Sequence, residues 1–249
     1  NKLKPTETTP YSDKPKEAPK PQTSKASGET GKAINMENPD IEISDEYKQA
    51  IDAISSVENV FISGAAVTGK STFLQILRKH FEKDNLVVVA PTGVAALNVK
   101  GQTIHSFFKI KPQVIDVSKL ELPRSLTPYR AIDCLVIDEI SMVRSDVFEA
   151  IDYQLKKATG YTQTPFGGVQ IILIGDLYQL PPVVGGSEKK YFESLYSNPY
   201  FFATKAYEEG NFKCISFSKV YRQADAKFIS LLNRVRVGGV NHNDVKELN

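Results

Sequence analysis

An eight-residue glycine-containing segment, Gly64–Ser71, constrains this chain of 249 residues more than any other feature. It fits the pattern G-x-x-x-x-G-K-[ST] with the residues Gly64, Ala65, Ala66, Val67, Thr68, Gly69, Lys70 and Ser71. Asn59–Ser63 before it has the composition of a short buried strand, and Thr72–Lys79 after it has helical apolar spacing. A strand, a glycine loop and a helix in this order predict a loop that binds nucleotide phosphates.

The residue types of this loop suit a magnesium nucleoside triphosphate. Glycines let the backbone turn so that successive N–H groups point at phosphate oxygens, and the following helix adds partial positive charge at its N-terminus. Lys70 is expected to reach the β- and γ-phosphates, and the Ser71 hydroxyl to ligate Mg²⁺. We therefore predict that the loop, together with Thr72, binds ATP with Mg²⁺ as cofactor.

Two carboxylates follow a second apolar segment, Cys134–Ile137. Asp138 and Glu139 would lie at a strand end beside the phosphate loop, where Mg²⁺ and the attacking water must be managed. Asp138 is then expected to hold Mg²⁺ and Glu139 to orient or deprotonate the water. The alternative is a strand that ends in a solvated acidic turn.

Two further polar residues follow predicted strands. Gln179 comes shortly after the buried segment Val169–Gly175 and could sense the γ-phosphate, or it could be an exposed loop amide. Arg222 follows the predicted strand Lys213–Val220, and a guanidinium suits the charge that develops on a transferred phosphoryl group. A surface salt bridge is the alternative for Arg222.

Thr103–Phe108 places hydroxyls, a histidine and two aromatic residues side by side. The residues alone are compatible with a loop histidine and two core phenylalanines. They are also compatible with stacking on a nucleic-acid strand and contact with its phosphates. A net charge of +2 gives no global basic field, so any surface that binds nucleic acid must be local.

Composition divides the chain into two parts. Residues 1–35 are rich in Lys, Pro, Ser and Thr with few large apolar residues, which predicts a disordered tail. Residues 36–249 are expected to form one domain. Cys134 and Cys214 lie in apolar or strand-like segments and are predicted to be reduced core thiols. No apolar run approaches the length of a membrane span, so no membrane association is expected.

Taken together, five segments resemble in order the motifs of the petite-integration-frequency family of DNA helicases, which belongs to superfamily 1 with the RecD-like enzymes. They are GAAVTGKS, APTGVAALNVKGQTIHSFF, LVIDEISM, PFGGVQIILIGDLYQLPPVV and VYRQADAKFISLLNRVR. The resemblance implies a RecA-like α/β fold with a parallel sheet covered by helices on both faces. It also implies a monomeric ATP-driven motor that moves 5′ to 3′ on single-stranded DNA and unwinds forked or structured DNA.

The resemblance also implies roles for individual residues. Lys70, Ser71, Asp138 and Glu139 match the nucleotide, Mg²⁺ and catalytic-water positions, and Gln179 and Arg222 match the γ-phosphate sensors. The segment expected to touch DNA contains Thr92, Gly93, His105, Ser106 and Phe107. Such helicases act in DNA repair, recombination, replication or telomere maintenance. The expected compartment is the cytoplasmic nucleoid in a bacterium, and the nucleus or mitochondrion in a eukaryote.

The sequence departs from that family in three places. Val67 stands where the family usually has Gly, and Tyr47 stands where it usually has a Gln that reads adenine. The sequence ends at Asn249, before the family's second motor domain, so we expect a part of a longer helicase. Two other functions stay open: an ATP-gated module that binds single-stranded DNA without unwinding, and an unrelated phosphate-loop kinase or transferase.

Overall fold

The computed structural model describes residues 44–65, 67–80, 85–219 and 226–241, with the side chains at 80 and 226–229 excepted. The strands are β1 (Val60–Gly64), β2 (Leu86–Ala90), β3 (Gln102–Thr103), β4 (Cys134–Ile137), β5 (Gln170–Gly175) and β6 (Lys213–Phe217). The α-helices are α1 (Asp45–Ser55), α2 (Lys70–His80), α3 (Gly93–Asn98), α4 (Ile104–Phe108), α5 (Thr127–Arg130), α6 (Ser145–Thr159), α7 (Lys189–Leu195), α8 (Lys205–Gly210) and α9 (Ala226–Arg236). The predicted tail over residues 1–35 lies outside the described residues.

Within the described residues the strands form one six-stranded sheet in the order β3-β2-β4-β5-β1-β6. Every strand pairing is parallel. The inner strands β4 and β5 are buried along their whole length, as their continuous apolar sequences predict, whereas the edge strand β6 is partly exposed. The predicted parallel α/β sheet is therefore confirmed, and all strands present their carboxyl ends at one edge.

Helices cover both faces of the sheet because alternate side chains of each strand point to opposite sides. One face contributes Phe61, Leu135 and Leu173 to a large core cluster with residues of α4, α6 and α8. Residues from the other face, such as Ile62, are also fully buried, on the side where the rings of α1 and α2 pack together. The resulting three-layer arrangement fixes the strand ends rigidly.

Several local predictions were correct and others were wrong. Ser44 caps α1, because its hydroxyl accepts the N–H of Tyr47. Thr103 similarly caps a short helix, α4, in a segment that sequence patterning left without an assignment. Cys134 is a buried free thiol, but Cys214 is exposed, since it lies on the edge strand where one face lacks cover. The prediction of a core thiol at Cys214 was therefore wrong.

A buried ion pair anchors the irregular segment that precedes β4. Asp146 is fully buried near the start of α6, where its carboxylate accepts the backbone N–H of Ile115 at 2.8 Å. Arg144 donates to both carboxylate oxygens of Asp146, at 2.9 Å and 2.6 Å. Removing the carboxylate would leave a buried N–H and a largely buried guanidinium without their acceptor.

Asp146→Ala should therefore lower the free energy of unfolding by about 3–5 kcal/mol. Urea unfolding followed by circular dichroism measures the change. The matched control is Glu193→Ala, which removes an exposed carboxylate paired with Lys189 and should stay within about 0.5 kcal/mol of wild type. Equal effects of the two substitutions would show that the buried pair does not anchor the segment.

Candidate nucleotide site

The glycine loop connects β1 to α2 and is shaped by close backbone contacts. A Cβ on Gly64 would lie 2.6 Å from Thr68 Oγ1 and 2.8 Å from the carbonyl oxygen of Phe217, so a side chain is excluded there. Gly69 adopts a left-handed backbone with φ of 84°. Val67 also has a positive φ, of 62°, which is costly for a β-branched residue. The departure at Val67 thus places strain in the loop where glycine would be relaxed.

Lys70 lies at the centre of the site. Its ammonium donates to the carbonyl oxygens of Gly64 at 2.7 Å and Ala65 at 2.8 Å. Burial lowers the pKa of Lys70, and the nearby carboxylates of Asp176, Glu139 and Asp138 oppose that shift. The lysine is therefore a partly desolvated cation near three carboxylates, and a phosphate group in the site would interact with it strongly.

Tyr47 supports the loop from the interior. Its side chain is fully buried, and its hydroxyl donates to the carbonyl oxygen of Gly69 at 2.6 Å. The ring packs against Phe73 of α2 at 5.2 Å and Phe217 of β6 at 4.7 Å between centroids. Because the Tyr47 side chain has no accessible surface, it cannot contact a base and instead fixes the peptide that precedes Lys70.

The two predicted carboxylates follow β4. Asp138 donates its N–H to the carbonyl oxygen of Val89, which continues the pairing between β2 and β4. Glu139 then turns the chain with a left-handed backbone of φ 51°. Burial, with the adjacent Glu139 charge, raises the pKa of Asp138 to about 6. A carboxyl with such a shift in a cleft is a candidate functional group.

One open cavity of about 290 Å³ brings together residues that are distant in sequence. Its wall includes Ser71, Thr92, Asp138, Glu139 and Gln179. These residues follow four different strands, and the parallel sheet places all of those strand ends on one edge. The arrangement joins a hydroxyl, two carboxylates and an amide in a single solvent-accessible site.

Asp176 is a site residue that sequence reasoning missed. It directly follows β5, is buried with 1% of its surface exposed, and accepts the N–H of Tyr178 at 3.1 Å. Its carboxylate also lies 3.4 Å from the amide nitrogen of Gln179. An acid placed directly after a buried, mostly apolar strand, the pattern that identified Asp138, could have found it.

Arg236 of α9 was also missed as a site residue, although it ends the fifth segment that resembles the helicase family. Its Nε and Nη2 each donate to a carboxylate oxygen of Asp176 at 2.8 Å. Burial disfavours ionisation of Asp176, but the hydrogen bonds and charge of Arg236, together with Lys70, outweigh burial and lower its pKa. Asp176 is therefore a stable anion between two cations.

Two predicted site residues lie outside the described residues. They are Arg222, predicted as a γ-phosphate sensor, and Ala66 of the glycine loop. Both assignments stay predictions.

The predicted DNA-contacting residues lie beside the nucleotide cavity. Thr92 and His105 line a second cavity of about 170 Å³, and Thr92 is shared by both cavities. Ser106 and Gly93 are exposed. Phe107 is partly buried, with its ring 5.0 Å from Phe108. Its packing favours the core interpretation of this aromatic residue over a freely available stacking surface.

The raised pKa of Asp138 predicts a pH-dependent effect on stability. Below about pH 3 this carboxyl is largely protonated in both the folded and unfolded chain, so Asp138→Asn should change little. Above about pH 6 the folded state must hold a disfavoured anion. There the substitution should raise the free energy of unfolding by about 1–3 kcal/mol.

Urea unfolding in each of these two pH ranges measures the difference. The control is Glu193→Gln, an exposed position at which the substitution should cause no such pH-dependent change in stability. A stabilisation by Asp138→Asn that is equal at both pH values would contradict the electrostatic explanation.

Comparison with known proteins agrees with this geometry. Residues 42–246 match the PIF1-like helicase family. The chain is 36% identical to ATP-dependent DNA helicase PIF1 of Saccharomyces cerevisiae over 215 residues, which are 82% of this chain and 24% of the yeast protein. It is 34% identical to the human protein of that name over 211 residues, 83% of this chain and 32% of the human protein.

Solved structures show the same similarity. The crystal structure of Bacteroides Pif1 helicase with ADP-AlF3 and single-stranded DNA is similar with a TM-score of 0.76 and 36% identity. That comparison covers 83% of this chain and 49% of the Bacteroides chain. The chain thus spans a third or less of these two curated relatives and about half of the solved chain. On the match to the family and the identity to its members, the chain belongs to the PIF1-like helicases.

Proposed function

We propose that this chain is the ATP-binding motor domain of a DNA helicase that moves 5′ to 3′ along single-stranded DNA. The observation that carries the proposal is the cavity in which Ser71, Asp138, Glu139 and Gln179 meet beside Lys70. A triphosphate in this cavity would contact groups from several strands at once. Its substrates would be forked or structured DNA, and its roles DNA repair, replication or telomere maintenance.

The donor set of the cavity fits Mg²⁺ as the cofactor. Mg²⁺ prefers oxygen ligands and is commonly held by one or two carboxylates, substrate phosphates and water. The Ser71 hydroxyl and the Asp138 carboxylate supply such oxygens in the same cavity. Bound there, Mg²⁺ would neutralise phosphate charge.

The protein residues divide the work of ATP hydrolysis. Lys70 would exchange its bonds to the loop carbonyls for bonds to the β- and γ-phosphates. Glu139 would accept a proton from water as its oxygen attacks the γ-phosphorus, and the bond from that phosphorus to the bridging oxygen would break to give ADP and phosphate. Gln179 would report the presence of the γ-phosphate to its loop.

The shared wall of the two cavities would link the nucleotide to DNA. Thr92 and Met142 line both the nucleotide cavity and the cavity that contains His105. Thr92 also caps α3 by accepting the N–H of Ala95, so a shift of Thr92 would move that helix. A DNA strand bound at His105 would therefore be separated from the nucleotide only by the shared wall that contains Thr92.

A second candidate function is nucleotide-gated binding of single-stranded DNA without unwinding. The strained backbone at Val67 favours it, because strain in the loop that would hold the β- and γ-phosphates would slow turnover while ATP still binds. Measured turnover in the whole protein separates the two functions.

Lys70→Ala and Glu139→Gln should separate nucleotide binding from catalysis. Lys70→Ala removes the cation that pairs with the phosphates and should abolish measurable affinity for Mg-ATP. Glu139→Gln keeps the shape and hydrogen-bonding capacity but not the base, so binding should persist while hydrolysis falls about 10²–10⁴-fold. Fluorescent-nucleotide titration and DNA-stimulated phosphate release measure the two quantities.

Lys79→Ala, at an exposed position of α2, is the matched lysine control and should leave both quantities unchanged. In the whole protein, a duplex with a 5′ single-stranded overhang should unwind and one with a 3′ overhang should not. Unwinding that persists in Lys70→Ala would refute the role of the loop. Equal loss of binding in Lys70→Ala and Glu139→Gln would refute the division of roles.

His105→Ala should weaken binding of single-stranded DNA about 5- to 100-fold, the range of one lost stacking contact. Fluorescence anisotropy with an oligonucleotide measures the affinity. Ser194→Ala, at an exposed position on α7, is the control. Nucleotide affinity in the absence of DNA should not change. An unaltered DNA affinity would place the DNA track elsewhere.

A further inference from the structure

A three-part contact ties α9 to the loop that carries Gln179. Arg236 makes two parallel hydrogen bonds to Asp176, and its guanidinium lies 4.5 Å from the centroid of the Tyr178 ring. Asp176 in turn accepts from the backbone N–H of Tyr178 and approaches the side-chain amide of Gln179. A single arginine thus contacts two residues of the loop, the carboxylate of Asp176 and the ring of Tyr178.

The geometry of this contact is specific to arginine. Paired N–H groups in a planar guanidinium match the two oxygens of a carboxylate, and a lysine ammonium cannot reproduce that arrangement. The Asp176 side chain is 1% exposed and that of Arg236 is 27% exposed, so solvent weakens the pair little. The orientation of the carboxylate is therefore set by the arginine.

Asp176 also acts on the lysine of the phosphate loop. Of the carboxylates that oppose the effect of burial on Lys70, Asp176 contributes most. Arg236 itself lines a cavity of about 240 Å³ whose wall includes Gly64, Ala65 and Thr68. One carboxylate therefore contacts the amide that is to sense the γ-phosphate and also attracts the cation of the phosphate loop electrostatically.

We infer that Arg236 is a positioning residue for the γ-phosphate: it acts through Asp176 to fix Gln179 and Lys70 relative to one another. Arg236 need not touch the nucleotide in this arrangement. Without it, Asp176 would turn toward Lys70 and release the turn at Tyr178, so that Gln179 would no longer be aligned. This inference rests on the proposed function, because it assumes that the cavity binds a nucleoside triphosphate.

The test compares ligands with and without a group at the γ-position. With this chain and Mg²⁺, Arg236→Gln should leave the affinity for ADP within about twofold of wild type. The affinity for ADP with aluminium fluoride, which places a phosphoryl mimic beside Gln179, should fall about 10- to 100-fold, as expected for a misplaced catalytic group. In Arg236→Lys the affinity for ADP with aluminium fluoride should fall nearly as far, because lysine retains the positive charge but cannot make the two parallel hydrogen bonds.

A double-mutant cycle distinguishes action through Asp176 from direct contact. If Arg236 works through Asp176, the variant that combines Asp176→Asn with Arg236→Gln should bind the aluminium fluoride complex no more weakly than Asp176→Asn alone. The matched control is Arg234→Gln, because Arg234 lies two residues before Arg236 in the last turn of α9 and its guanidinium donates to the Ser230 hydroxyl. This variant should behave as wild type.

Three outcomes would overturn the inference. Equal losses for ADP and the aluminium fluoride complex would mean that Arg236 serves only to stabilise the fold. Additive losses in the double variant would mean that Arg236 contacts the phosphates itself. If Arg236→Gln leaves both affinities unchanged while Lys70→Ala abolishes nucleotide binding, only the positioning role is refuted. If Lys70→Ala binds nucleotide as tightly as wild type, the proposed function is refuted.

Discussion

Convergence of parallel strand ends on one half-buried lysine is the constraint on which the rest of this structure depends. Lys70 is drawn toward carboxylates that follow β4 and β5, while its ammonium is held by carbonyls at the end of β1. A parallel sheet makes such convergence possible because every strand ends at the same edge. The covering helices keep those ends from moving independently, so the charges retain their spacing.

The site is supported from two directions. From the interior, Tyr47 holds the carbonyl of Gly69 and so sets the peptide that leads into Lys70. From the other side, Arg236 holds Asp176 and the turn at Tyr178. Both supports come from helices outside the motif itself, α1 and α9. A phosphate-binding loop that is short and glycine-containing gains its precision from these neighbours.

Several features of the site lower the stability of the folded protein. The carboxyl of Asp138 is kept partly buried beside Glu139, which disfavours its charge, and Lys70 is partly desolvated. Val67 adopts a backbone conformation that costs about 1–2 kcal/mol for a residue with a Cβ. The large apolar cluster between the sheet and α6 supplies the stability that tolerates these features. Strain and buried charge that concentrate at a strand edge are typical of sites that bind and release a charged ligand.

Much of the fold followed from local pattern. Continuous apolar segments predicted β4 and β5 as buried parallel strands, and the glycine loop between a strand and a helix predicted the phosphate site. Ser71, Asp138, Glu139 and Gln179 lie in one cavity because a polar residue that follows a parallel strand has a defined location, whereas their individual roles stay predictions. The short helix α4 and the exposure of Cys214 were not predicted. A helix of five residues has too few residues for a clear apolar periodicity, and the position of a strand at the edge of a sheet leaves little trace in its own sequence.

By itself, then, the sequence determined the fold class, the phosphate loop and the residues at each strand end, because periodicity and short motifs are local properties of the chain. Tertiary structure decided which distant groups support them. Tyr47 lies 22 residues from Gly69, and Arg236 lies 60 residues from Asp176. No spacing rule connects such pairs, since they meet through the packing of helices on the sheet, and the direction in which each side chain points is set there.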